Sequence, residues 1–124
     1  MEKICLDFEA AIEFLRGEQS TIEKLKWYVD REEVCITAFT MAHIIESVKK
    51  PEVINRFVNS VTILPFDKKS ATILSRLLTE LRERGLEVKH TDNLVTASIC
   101  MANDAFLFTK SPSNYEGAKG LRKV

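Results

Sequence analysis

Lys3-Ile4-Cys5-Leu6-Asp7 is a short apolar run that ends abruptly in a carboxylate. Ile4, Cys5 and Leu6 suit a strand buried on both faces, the pattern of a parallel sheet. Asp7 then stands at the carboxyl end of that strand, directly before Phe8, Ala11, Ile12 and Leu15, which fall at helical spacing and are closed by Gly17. In open α/β sheets the carboxyl edge is where ligands bind. A carboxylate placed straight after a buried strand is costly unless something partners it. A second acid, Asp92, opens another helical stretch within Thr91-Asp92-Asn93-Leu94-Val95. The expectation is that the fold brings Asp7 and Asp92 together.

Working outward, strands and helices alternate. Ser20-Thr21-Ile22-Glu23 offers a capped helix start with a Glu three residues after Ser20, and that helix should run to about Asp30. Val34-Cys35-Ile36-Thr37 reads as a second strand. Thr40 is the expected cap of a helix through Met41, Ile44, Ile45 and Val48, and Pro51 suits the first turn of the next. Val61 to Leu64 is the third strand. Asp67 or Ser70 starts the longest helix, with the stripe Ile73, Leu74, Leu77, Leu78 and Leu81, and Gly85 stops it. A helix from Thr91 to about Ala102 precedes a fourth strand, Ala105 to Thr109. The tail is mostly loop, with a last short strand expected from Leu121 to Val124. Asp104 reads as a turn residue. The alternation implies one α/β domain over residues 1–124, a three-layer α/β/α sandwich around a central parallel sheet.

Composition narrows the function. The chain has 124 residues and is 45% hydrophobic, enough for an ordinary core. No apolar run reaches the roughly 18 residues of a membrane span, and charged residues come too early for a signal peptide, so a cytoplasmic protein without a membrane partner is expected. Lysine plus arginine equals aspartate plus glutamate at 18 each, so any nucleic-acid binding must use a local basic patch. Cys5, Cys35 and Cys100 match no zinc spacing and read as buried free thiols. There is no glycine-rich phosphate loop and no Gly-x-Ser-x-Gly elbow. Carboxylates in a cleft are hard oxygen ligands suited to Mg²⁺ or Mn²⁺, which can activate water at a phosphodiester.

The joint pattern resembles the PIN domain, in particular the toxin ribonucleases of VapBC toxin–antitoxin systems. It is carried by Ile4-Cys5-Leu6-Asp7 with Phe14-Leu15-Arg16-Gly17, by Ile36-Thr37-Ala38-Phe39-Thr40-Met41-Ala42, and by Gly85-Leu86-Glu87-Val88-Lys89-His90-Thr91-Asp92-Asn93-Leu94-Val95. Leu107-Phe108-Thr109-Lys110-Ser111 and Gly120-Leu121 complete it. The resemblance implies a metal-dependent endoribonuclease with an RNA substrate, a cognate antitoxin and a homodimeric state, and it makes Asp7 and Asp92 the catalytic, metal-holding acids. The family's Glu after the second strand falls on His43, and its late Asp or Asn falls on Ser111. Phe8 and Glu9 stand where small hydroxyl residues usually follow the first Asp. Glu9 and Glu46 are the available substitutes, Glu46 lying about one helical turn beyond His43; solvated surface acids are the plainer reading of both. The resemblance also implies that an antitoxin covers a groove over the N-terminal helices, with Phe14, Leu15, Trp27 and Tyr28 as candidate anchors.

Two rivals stand beside this reading. One is a PIN-like module that binds RNA or a protein without cutting, favoured by His43 and Ser111 and opposed by Asp7 and Asp92. The other is a receiver-type domain, for which Leu64-Pro65-Phe66-Asp67 could mimic the phosphoacceptor strand end. The single acid at Asp7 argues against it.

Overall fold

In the computed structural model of the chain, which describes residues 2–124, the opening apolar run is strand β1 (Lys3–Leu6). Strand β2 (Glu33–Thr37) runs parallel to it on one side, with β3 (Thr62–Leu64) beyond, and β4 (Ala105–Phe108) runs parallel on the other. The sheet order is β3-β2-β1-β4. Helices α1 (Phe8–Leu15) and α2 (Gln19–Val29) connect β1 to β2, and α3 (Ala38–Ser47) and α4 (Pro51–Ser60) connect β2 to β3. Helices α5 (Lys68–Glu83) and α6 (Thr91–Ala102) carry the chain back across the sheet to β4. The winding therefore changes direction between β1 and β4. The carboxyl ends of those two strands flank the crevice where α/β sheets bind ligands.

Side chains alternate across the pleat and feed two apolar layers. Cys5, Cys35, Leu64 and Leu107 pack beneath α5 and α6, against Leu77, Leu81, Ala97 and Ile99. Ile4, Leu6, Ile36 and Phe108 face the other way, against Ala11, Leu25, Ile44 and Phe57 of the first four helices. This is the expected α/β/α sandwich. The three cysteines are free and buried, as read from the sequence.

Several local expectations give way. Thr37, not Thr40, caps α3: the Thr40 N–H donates to Thr37 Oγ1 at 2.9 Å, because the chain turns directly out of β2 into the helix. Helix α2 starts at Gln19 with Glu18 in the capping position and no side-chain cap, so Ser20 lies inside the helix. Asp67 does cap α5. The tail contains a 3-10 turn, Pro112–Tyr115, that the loop reading did not foresee. The last strand is reduced to an isolated parallel bridge between Leu107 and Lys123. Asp104 is a turn residue in the left-handed region, φ 52°. No described helix is long and apolar enough to cross a membrane.

Candidate active site

Asp7 leaves β1 in extended conformation and caps α1, its Oδ1 accepting the Ala10 N–H at 2.9 Å. The side chain is only 5% exposed. Its other oxygen, Oδ2, accepts the Thr109 hydroxyl at 2.6 Å and the Tyr115 hydroxyl at 3.0 Å. Three donors offset the desolvation of this carboxylate. Thr109 follows β4 directly, and its own Oγ1 accepts the Ser111 N–H at 3.1 Å, which fixes the hydroxyl's direction. Tyr115 is buried at the end of the 3-10 turn. Burial first, and the Asp7 charge second, push its hydroxyl well above the ordinary range, so it remains a donor at neutral pH. A carboxylate offers about four lone-pair positions; with Oδ2 taken twice and Oδ1 once, one position on Oδ1 is left.

A cavity of about 180 Å³ opens in front of this group. Asp7, Glu9, His43 and Asp92 all line it, with the amides of Asn93 and Asn114. The chain enters α6 through His90 in the left-handed region, φ 53°, so Asp92 sits exposed in the first turn and not at the cap. The helix N-terminus favours negative charge there. His43, on α3, is half-buried, with its ring centroid 4.9 Å from that of Phe8 and 5.3 Å from that of Phe39.

The auxiliary candidates separate. Glu9 is exposed in the first turn of α1 and its Oε2 accepts the Ser111 hydroxyl at 3.3 Å. Ser111 thus reaches the site through Glu9 and Thr109 and does not line the cavity. Glu46 does not line it either; it is exposed, and its neighbour Ser47 donates to it at 3.3 Å. Sequence reasoning passed over Thr109 and Asn93 as site residues, although both lie in the quoted motifs, and passed over Tyr115 and Asn114 altogether. The latter two lie in an aperiodic tail, and no spacing rule links a tail tyrosine to the end of the first strand.

The donor set is carboxylate and amide oxygen with one imidazole, which by type fits a hard divalent cation. Among the described residues no three His, Cys, Asp or Glu side chains gather closely enough to hold an ion by themselves. The fit is therefore to a cation held by one or two carboxylates that keeps several of its waters, as Mg²⁺ commonly does.

No family model matches the chain. It is 24% identical over 129 residues to the tRNA(fMet)-specific endonuclease VapC of Shigella flexneri, covering 98% of this chain and 96% of that one. The structure is similar to a chain of VapBC2 from Rickettsia felis bound to a promoter DNA fragment (TM-score 0.84, 20% identity, 98% of this chain and 97% of that one). It is equally similar to a chain of DNA-bound VapBC from Salmonella typhimurium (TM-score 0.83, 22% identity, 100% and 98%). FitAcB of Neisseria gonorrhoeae is a further likeness (TM-score 0.76, 18% identity, 98% and 96%). The PIN-like fold expected from the sequence is the fold of the chain.

Proposed function

We propose that this chain is a divalent-metal-dependent endoribonuclease and the toxin of a VapBC-type toxin–antitoxin pair. One observation carries the reading: two acids 85 positions apart in sequence, Asp7 and Asp92 (92 minus 7), line one cavity at the carboxyl edge of the sheet. The likeness to the Shigella endonuclease supports the reaction class. The free position on Asp7 Oδ1 and the carboxylate of Asp92 would hold Mg²⁺ or Mn²⁺, and when bound the ion supplies Lewis acidity and an activated water. Thr109 and Tyr115 fix the plane of the Asp7 carboxylate. Asn93 and Asn114 offer neutral amides that can donate to phosphate oxygens without adding charge.

The likeness to toxin–antitoxin complexes supports an antitoxin partner. A groove of about 1110 Å³ between α1 and the α3–α4 junction suits an amphipathic segment of such a partner. Ile12, Leu15, Val48 and Val53 line it together with Glu13, Arg16, Lys49 and Lys50. Of the anchors named from sequence, Leu15 lies in this groove, whereas Phe14, Trp27 and Tyr28 line other parts of the surface.

The test is cleavage of RNA by the purified chain with Mg²⁺ or Mn²⁺, beside Asp7→Asn, Asp92→Asn and the double variant. Cleavage should be lost in each, and calorimetry should show weakened Mn²⁺ binding. Unchanged Mn²⁺ binding in both single variants would overturn the shared site. RNA binding without cleavage by the parent would favour the non-cutting module, for which the double hydroxyl bond on Asp7 Oδ2 is the observation.

A further inference from the structure

Trp27 is the chain's one tryptophan, and it is 56% exposed on α2. Leaving so large a ring in water forgoes burial energy, yet the ring is not loose. The Arg31 guanidinium lies 5.0 Å from its centroid, and Arg31 Nη1 donates to the Trp27 carbonyl at 3.0 Å. The Tyr28 ring meets it edge-on at 5.0 Å, and Tyr28 in turn packs edge-on against Phe108 of β4 at 6.2 Å. The result is an exposed aromatic surface that packs, through Tyr28, against the sheet.

Beside it lies a surface cavity of about 570 Å³. Trp27, Tyr28, Lys24, Lys110, Thr109 and Pro112 contribute to its wall, which includes two cationic side chains and no acidic one. The two lysines are the charged side chains of this wall, with Lys110 paired to Glu13 at 3.5 Å and Lys24 turned to solvent. None of the wall residues belongs to the groove along α1. The wall abuts the acidic cavity instead. Thr109 lines it and donates to Asp7, and Pro112 begins the turn whose Asn114 and Tyr115 line the acidic cavity.

Aromatic faces interleaved with cations are the chemistry that binds single-stranded nucleic acid, the bases stacking and the phosphates meeting the lysines. We propose that Trp27 and Tyr28, with Lys24 and Lys110, form a base-stacking subsite for a single-stranded RNA segment flanking the cleavage position. The choice of RNA rests on the ribonuclease reading above; the stacking chemistry does not.

A single tryptophan makes the test direct. The Asp92→Asn variant of the chain, which should not cut and leaves the Thr109–Asp7 contact in place, is titrated with a short oligoribonucleotide that lacks self-complementarity. Trp27 emission should be quenched on binding. By anisotropy of labelled RNA, Trp27→Ala should bind about tenfold more weakly and Trp27→Phe nearly as well as its background, the range that base–aromatic stacking supplies. Lys24→Gln should lower the slope of log affinity against log salt by about one phosphate contact. RNA binding with silent Trp27 emission and unchanged affinity in Trp27→Ala would overturn the proposal. So would quenching by the antitoxin partner with none by RNA. Quenching by RNA while the parent fails to cleave would leave the subsite standing and remove the nuclease reading. Cleavage by the parent with Trp27 silent would do the reverse.

Discussion

At the scale of single residues, Asp7 does two jobs with two oxygens. Oδ1 caps α1, and Oδ2 is consumed by Thr109 and Tyr115. Tyr115→Phe removes one donor and little volume. Hydrogen bonds to a charged group are worth about 1.5–3 kcal/mol. With Thr109 still in place, urea unfolding should show a loss near the lower end of that range. Hydrogen bonds that orient a ligating carboxylate commonly govern affinity by about 10–100-fold. Mn²⁺ binding to Tyr115→Phe should accordingly weaken about tenfold in calorimetry. Tighter binding would mean that the hydroxyl competes with the ion for Oδ2. His43 shows the same mixture of roles: it stands at the cavity, yet its ring is packed against Phe8 and Phe39.

At the scale of elements, the strand-to-helix junctions are set by side-chain caps: Asp7 for α1, Thr37 for α3 and Asp67 for α5. Capping by Asp67 has a consequence for pH. The Ser70 N–H and then the Ser70 hydroxyl donate to its carboxylate and hold the carboxyl below its ordinary value. A lowered folded-state pKa contributes stability above the unfolded value, near pH 3.9, and loses it as pH falls through the folded one. Asp67→Ala should therefore melt below the parent at neutral pH. The gap in Tm should narrow as pH drops beneath about 4, since the parent's cap is then being protonated. A gap that stays constant down to strongly acidic pH would show that the charge of Asp67 contributes nothing. Asp7→Asn keeps a good N-cap residue through Oδ1, but its amide nitrogen meets the two hydroxyls that donate to Oδ2, so its unfolding midpoint should fall, whereas the exposed Asp92→Asn should leave it unchanged.

At the scale of the whole molecule, the sheet's α5–α6 face carries all three thiols. Cys5 and Cys35 are neighbours in register on β1 and β2, and Cys100 reaches toward them from α6. Burial pushes the Cys35 thiol up to about 12. The Cys5 thiol is also raised well above its ordinary value, first by the Cys100 thiol beside it and then by burial. Thiolate is the reactive form, so these groups should be inert while the fold is closed. A thiol reagent at neutral pH should label none of the three within minutes in the native chain and all three in urea. The labelling rate then reports opening of this face of the core. Fast labelling of the native chain would contradict the burial.

The sequence by itself determined the alternation of strand and helix, the parallel sheet and the place of Asp7. These follow from local regularities: continuous apolar runs, helical stripes, and glycines such as Gly17 and Gly85 whose positive φ (78° and 70°) lets helices end. It also picked out Asp92 as the second acid, because an acid at a helix start is a local pattern. Only the tertiary structure decided which groups stand beside them. Thr109 and Tyr115 meet Asp7 from 102 and 108 positions away. Glu9 lines the cavity and Glu46, one turn past His43, does not. Trp27 stays in water while Leu25, two positions before it, is buried. Spacing rules say which residues share a face of an element. Which face meets which neighbour is fixed when β4 crosses back to lie beside β1, and that contact is written nowhere in the local pattern.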